Sequence, residues 1–394
     1  MEVGEKGKSR GLRLSIQLDQ LGSPVGGGRF LRGFLAELLT EADFRGQLEH
    51  LNLVATQQEA TTVLGPLPGW VTVVQRRFPT RWRNSFLAKL FAYLALPGGD
   101  VAYGSFYHVF PTRARARVVT LHDLSFFNPL FHPEAMTRTT ADQVTRMVHE
   151  CEGVVCSSQD CLEDFQARWP HLAHKATLVY CGVAPEEIAA TSQGLSRKRV
   201  ILVVGTLEPR KNYPTILDAF DLLLTEQGAD APNLMVIGKK GWMSEGVEQR
   251  LAALQAAGRC QWIQDASDEL LAQAYGEAAV FSYLSLSEGF GYPPFEATFA
   301  GCPMVLSSTS SVGEIWAGHA KCVNPRDVKA IVAGWRWALE LSPDEREATI
   351  ASQYARAQEF TWKRCVAGYL AFWQHLTHPE VRPARACTPP GIQP

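Results

Sequence analysis

Ser287-Glu288-Gly289-Phe290-Gly291-Tyr292-Pro293-Pro294-Phe295-Glu296-Ala297 sets two carboxylates, two glycines and a Pro-Pro step between a short apolar run and a new helix. Upstream, Ala279 to Leu284 has the β-branched and aromatic bias of a buried strand. Downstream, Phe295 to Ala300 reads as a helix whose first turn begins near Pro293 or Pro294, where a missing N–H costs nothing. Gly289 and Gly291 therefore fall in a strand-to-helix turn. In an open parallel sheet such turns lie at the carboxyl ends of the strands, where ligands bind, and glycine lets backbone N–H groups approach an anion closely. A carboxylate repels phosphate, so Glu288 and Glu296 beside such a site read as acceptors for sugar hydroxyls. Taken alone, the same pair is more often a solvated loop residue and a complement to a helix N-terminus. The balance is set by what lies upstream.

Val200 to Val204 is a continuous apolar strand that runs straight into Gly205-Thr206-Leu207-Glu208-Pro209-Arg210-Lys211-Asn212, and a helix is predicted over Tyr213 to Thr225. Arg210 and Lys211 thus follow a strand and precede a helix N-terminus, where two fixed cations and backbone donors can hold a diphosphate. No G-x4-G-K-[ST] pattern is present, which disfavours a P-loop. No Asp-x-Asp pair is present either, so no metal is called for and the two cations would neutralise the diphosphate themselves.

The rest of the chain supplies two similar halves. Strands are predicted over Leu12 to Leu18, Leu51 to Thr56, Val71 to Gln75, Val118 to Leu121, Gly153 to Ser157 and Ala176 to Tyr180, with helical patterns between several of them. Ser157 with Asp160 reads as a capping box for the helix reaching Arg168. Gly26-Gly27-Gly28 opens a helix after the first strand, but Leu31 stands where a dinucleotide fingerprint needs its third glycine. After the polar linker Ala184 to Lys198, later strands are Leu234 to Ile237, Cys260 to Ile263, Val280 to Tyr283 and Met304 to Leu306. Helices follow over Arg326 to Glu340, Asp344 to Phe360 and Trp362 to Leu376, and a proline-rich tail is expected to be disordered. Such alternation predicts an α/β protein with two doubly wound parallel sheets.

Composition narrows the class. A chain of 394 residues, 46% of them hydrophobic, can bury two cores, and a net charge of -2 predicts no general attraction to nucleic acid. The polar N-terminus lacks the apolar core of a signal peptide, so the expected location is cytoplasmic. Nine cysteines scattered through strands and helices read as reduced thiols. Cys151, Cys156 and Cys161 near His149 match no zinc spacing.

Gly205 to Asn212 resembles the G-x-L-E-P-R-K-N stretch, and Ser287 to Ala297 the S-x-E-G-F-G-x-P-x-x-E-A stretch, of retaining GT-B glycosyltransferases of the group 1, family 4 type. Thr120-Leu121-His122-Asp123-Leu124 is similar to that family's H-D-L segment. Gly26-Gly27-Gly28-Arg29 is similar to its glycine loop, and Val179-Tyr180-Cys181-Gly182-Val183 to its Y-N-G-V junction. The resemblance implies a GT-B fold: an acceptor-side Rossmann-like domain over 1–184 faces a nucleotide-sugar domain over 185–361 across a cleft. A helix at 362–377 would return to the first domain, ahead of a tail at 378–394. It implies that Arg210 and Lys211 bind the donor diphosphate, Glu288 the transferred sugar and Glu296 the ribose. Gly27, Gly28, Gly205, Gly289, Phe290 and Gly291 would line the donor site. His122, at a strand end, would hydrogen-bond the sugar and act with Glu288 in catalysis. The implied partners are a nucleotide-sugar donor and a saccharide or lipid-linked saccharide acceptor, with no cofactor; the leading donor is GDP-mannose. The sequence departs from the pattern at Leu284, Ser287 and His319-Ala320-Lys321.

Two rivals remain: a catalytically silent nucleotide-sugar-binding subunit and a nicotinamide-dependent oxidoreductase, the latter weakened by the incomplete glycine fingerprint. Residues 76–117 carry eight basic residues against one acid, interleaved with Trp82, Phe86, Phe91 and Tyr93. That pattern fits peripheral contact with the inner face of a membrane as well as a solvated helix face. The membrane reading predicts sedimentation with anionic vesicles that falls as salt is raised. Equal binding to neutral vesicles, or to neither, leaves the solvated face.

Overall fold

The computed structural model describes residues 11–18, 21–22, 26–55, 57–74, 98–105, 112–184 and 195–379. Most of the basic segment, much of the linker and nearly all of the tail lie outside them.

Two parallel sheets form the frame. The first has seven strands in the order β3-β2-β1-β4-β5-β6-β7. These are β1 (Leu12–Gln17), β2 (Leu48–Val54), β3 (Val71–Val74), β4 (Val101–Gly104), β5 (Ala116–Leu121), β6 (Gly153–Cys156) and β7 (Ala176–Leu178). The second has six, in the order β10-β9-β8-β11-β12-β13. They are β8 (Lys198–Val204), β9 (Asn233–Ile237), β10 (Cys260–Ile263), β11 (Ala278–Tyr283), β12 (Met304–Ser307) and β13 (Lys321–Val323). All pairings within both sheets are parallel. Each sheet reverses its winding once, between β1 and β4 and between β8 and β11, and such switch points open a crevice at the strands' carboxyl ends. The predicted doubly wound α/β architecture is therefore present in both halves.

Burial explains the strand sequences. Ile201 and Leu202 in β8 and Val280 and Phe281 in β11 are fully buried, as expected for strands covered on both faces. The final helix, Trp362–Thr377, returns to the first sheet as expected. Tyr369 and Trp373 are wholly buried. Tyr369 lies edge-on to Phe34 at 5.0 Å, and Trp373 packs 5.2 Å from Tyr103. Thr120 Oγ1 is 2.7 Å from both the Tyr103 and Tyr369 hydroxyls, which satisfies the polar tips of this aromatic cluster.

Two readings need correction. The helix Gln159–Arg168 is capped by Ser158, whose side chain accepts from Cys161 N, and not by Ser157. The Ser157 hydroxyl is drawn instead to two carbonyls: His122 O of its own half at 2.9 Å and Gly289 O across the cleft at 3.1 Å. Strand β4, missed in the sequence, is a four-residue V-A-Y-G run too short to show a period.

Among the described residues no helix is long and apolar enough to cross a membrane. The three closely spaced cysteines are buried core thiols, and Cys161 Sγ donates to Leu121 O at 3.4 Å.

Candidate functional site

The loops after β8 and β11 flank the second sheet's switch point, and together they build a buried charge cluster. A short turn of 3-10 helix, Pro209–Lys211, fixes the two cations just before the helix Tyr213–Gln227. Between them Asn212 takes a left-handed conformation, and its side chain donates to Leu284 O at 3.1 Å and to Pro325 O at 2.6 Å. The β8 loop is thereby tied to the β11 loop.

Glu288 sits between the two cations. Arg210 Nη1 donates to Glu288 Oε2 at 2.7 Å, and Lys211 Nζ donates to Glu288 Oε1 at 2.6 Å. Arg210 also donates to Ser287 O at 3.2 Å and pairs with Glu208 Oε1 at 2.6 Å, while Lys211 reaches the Tyr283 hydroxyl at 2.7 Å. Glu288 is 6% exposed, so it is not a solvated loop residue. Burial alone would raise its pKa, but the charges of Arg210 and Lys211 outweigh that and push it down to about 2. Burial lowers the Lys211 pKa, and Glu288 opposes the shift. Two cations and two carboxylates, Glu208 and Glu288, thus balance, and any further anion drawn to the cations would have to compete with Glu288 for them.

The first sheet closes the cleft from above. His122 leaves β5 at its carboxyl edge, half-buried, with its ring edge-on to Phe30 at 5.2 Å. A Cβ on Gly289 would meet His122 O at 1.9 Å, so only glycine allows this approach of the two backbones. Gly291, at φ +85°, makes the turn into the helix Tyr292–Phe299. Phe290 is a core residue, stacked on Phe295 at 4.9 Å, so it can serve a ligand only through its backbone. Burial pushes the His122 pKa down to about 4, a shift that the Asp123 charge opposes, so the imidazole is neutral near pH 7.

Glu296 lies in the helix Tyr292–Phe299 and is not a simple complement to its N-terminus. Its oxygens are held by Arg29 Nη1 from the first half and by the Tyr275 hydroxyl at 2.7 Å. Arg29 also lies 5.1 Å over the Tyr292 ring. Gly27 and Gly28 occupy the first turn of the helix Gly26–Thr40, which carries Arg29 to this contact. Gly205 follows β8, and a Cβ there would meet the Lys211 side chain at 3.3 Å. Of the departures from the motif pattern, His319 pairs with Ser352 Oγ at 3.2 Å, in the helix Pro343–Ala357.

Other cross-cleft contacts had no local signal in the sequence. Glu314 accepts from the backbone N–H groups of Gln159 at 3.0 Å and Asp160 at 2.9 Å, and from the Tyr180 hydroxyl. A carboxylate from one half thus caps a helix of the other. Trp242 Nε1 donates to Phe131 O at 2.7 Å and its ring stacks on His132 at 5.1 Å.

The buried groups also set a pH dependence. The His122 pKa falls from an ordinary 6.5 to about 4, so the unfolded chain binds its proton first and stability falls as pH drops from 6.5 towards 4. Glu288 contributes stability that is present above 4.5 and lost as pH falls through about 2. Asp160, raised to about 7 by burial and neighbouring carboxylates, acts in the opposite sense over the upper window, so the His122 effect is read as a difference: the denaturant midpoint of His122→Asn should rise relative to the parent chain as pH drops from 6.5 towards 4. A constant difference across that window would refute the assignment.

Two wound α/β sheets meeting across a charged cleft have the architecture of the GT-B fold. Residues 186–358 match the family described as Glycosyl transferases group 1. The chain is 28% identical over 265 residues to O-antigen chain mannosyltransferase B of Escherichia coli, covering 65% of this chain and 69% of that protein. It is 30% identical over 184 residues to the serotype-specific mannosyltransferase WbdA of Escherichia coli, covering 46% of this chain but only 22% of that protein. The fold is similar to that of Anabaena HepE in complex with UDP and glucose, with a TM-score of 0.62 at 18% identity over 90% of this chain and 97% of that one.

Proposed function

We propose that the chain is a metal-independent, retaining glycosyltransferase of the family 4 type. It moves a hexose, mannose first among the candidates, from a nucleotide-diphosphate sugar to a surface polysaccharide or glycolipid at the cytoplasmic side of the membrane. The observation that carries this reading is the Arg210–Lys211–Glu288 cluster at the switch point, with His122 brought against Gly289 from the other half. In the transfer, an acceptor hydroxyl oxygen bonds to the anomeric carbon as that carbon's bond to the phosphate oxygen breaks. The diphosphate leaves with its charge held by Arg210 and Lys211 and takes up the hydroxyl proton. Neutral His122 presents a polar edge to the sugar, Glu288 accepts from its hydroxyls, and Glu296 exchanges Arg29 for the ribose. The mannosyltransferase relatives support the choice of sugar.

A thermal-shift panel of GDP, UDP, dTDP, ADP and NAD tests the reading, because a ligand that binds only the folded chain raises its apparent stability. Stabilisation by GDP, with release of mannose from GDP-mannose, is expected. Stabilisation by NAD alone would overturn it. Activity is expected to survive EDTA, since the sequence has no Asp-x-Asp to present a divalent ion to the diphosphate. Loss that added metal restores would show a different means of charge neutralisation.

A further inference from the structure

A cavity of about 380 Å³ opens beside the charge cluster, walled by Ser125, Phe127, Asn128, Asp164, Arg168 and Ser287 among others. Its size falls within the range of small-molecule sites. Its position ties it to the chemistry on both sides. Ser287 precedes Glu288, and its carbonyl accepts from Arg210 at 3.2 Å. Ser125 donates to Asp123 Oδ1 from its amide at 3.0 Å and its hydroxyl at 2.7 Å, and Asp123 follows His122.

The lining chemistry suits a neutral sugar. The Arg168 guanidinium lies 3.8 Å from the centroid of the Phe127 ring, which is itself 5.6 Å edge-on from Trp169. Stacking fixes the plane of the guanidinium, and among the described residues no hydrogen bond or ion pair engages it. Its forked donors thus match two neighbouring hydroxyls. Asp164, one helical turn earlier, supplies acceptors. Asn128 uses Oδ1 on Leu130 N at 3.0 Å and keeps its amide donors. The Arg168 and Asp164 charges cancel, so the cavity has no surplus cation for a phosphate. An adjoining cavity of about 370 Å³, which Glu208, Asn212, Ser244 and Arg326 also line, is the more apolar of the two, with Leu207, Tyr213, Met243, Val247 and Leu286 in its wall.

We propose that the cavity between Asn128, Asp164, Arg168 and Ser287 is the acceptor subsite, and that it takes the terminal neutral hexose of the acceptor. The proposal rests on the glycosyltransfer reading. Methyl α-mannoside is titrated into the full chain with GDP present, followed by saturation-transfer NMR, and GDP affinity and GDP-mannose hydrolysis by water are measured alongside. Arg168→Ala and Asp164→Asn are each expected to weaken the mannoside by about 10-fold, the scale of one charge-assisted hydrogen bond, with GDP affinity and hydrolysis unchanged. Both side chains are exposed, so the variants keep the fold. Bound GDP with no mannoside binding by the parent chain, or with equal mannoside affinity in parent and variants, overturns the subsite alone. Inorganic phosphate displacing the mannoside overturns its neutral character. Failure of the parent chain to bind any nucleotide diphosphate removes the glycosyltransfer reading on which the subsite depends.

Discussion

His122→Ala is expected to lower kcat by about 10²-fold or more, the scale for losing one preorganised polar group at a reacting centre. Nucleotide affinity and melting temperature should stay close to those of the parent chain. The structure supports that split. The His122 ring packs edge-on against Phe30, but the backbone of residue 122, not its side chain, makes the contacts to Gly289 and Ser157. Alanine keeps those backbone contacts. Because burial holds the imidazole pKa near 4, the rate of the parent enzyme should show no histidine titration between pH 6 and 8. Full turnover in the variant removes His122 from the mechanism, and a variant that unfolds assigns it to the core.

The second large effect falls on Arg210. Each charge-assisted contact to an anion is worth about 1.5 to 3 kcal/mol, so Arg210→Ala should weaken nucleotide-diphosphate binding by roughly 10- to 150-fold. The same change leaves Glu208 without its partner at 2.6 Å and Glu288 with Lys211 alone, and breaking a buried pair costs about 3 to 5 kcal/mol of stability. Lys211→Ala separates the two consequences, because it leaves both Arg210 pairs in place; it should weaken the nucleotide with less loss of stability. Unchanged affinity in both variants would exclude the cluster as the diphosphate site. Glu288→Gln sharpens the test. From sequence alone it should leave nucleotide affinity unaltered, but the observed ion pairs change that expectation: removing the competing negative charge should tighten nucleotide binding while transfer falls. Equal losses of binding and turnover would contradict that role.

Much of this cluster was legible because its members lie in two contiguous strand-to-helix turns, Gly205 to Asn212 and Ser287 to Ala297, where residue type and local geometry speak together. The doubly wound sheets were legible for the same reason, through apolar runs such as Val200 to Val204. What escaped was set by partners remote in sequence. Ser157 and Asp160 satisfied a local capping pattern, yet the hydroxyl is claimed by a carbonyl 132 residues away. Arg29 and Glu296 meet across 267 residues, and Glu314 reaches a helix 155 residues earlier. No periodicity within either segment encodes such meetings. The pairing of Glu288 with both cations was hidden differently: its proximity was anticipated, but repulsion from phosphate gave no hint of what it holds when phosphate is absent.

Arg29 meets Glu296, and Tyr180 meets Glu314, through side chains alone, but several other contacts that join the two halves share a property. Ser157 meets the carbonyl of residue 289, Glu314 meets N–H groups of residues 159 and 160, and Trp242 meets the carbonyl of residue 131. In each, one partner is main chain, which every sequence supplies. This part of the seam is therefore tolerant of divergence, and the halves should recombine as modules. A chimera that takes its second sheet from a relative should dock if it keeps a glycine at 289, carboxylates at 296 and 314 and an indole at 242. The crossovers belong after Ala184 and after Thr361, so that the helix Trp362–Thr377 travels with the first sheet whose aromatic cluster it completes. On the proposed division of donor and acceptor between the halves, donor preference would then follow one parent and acceptor preference the other.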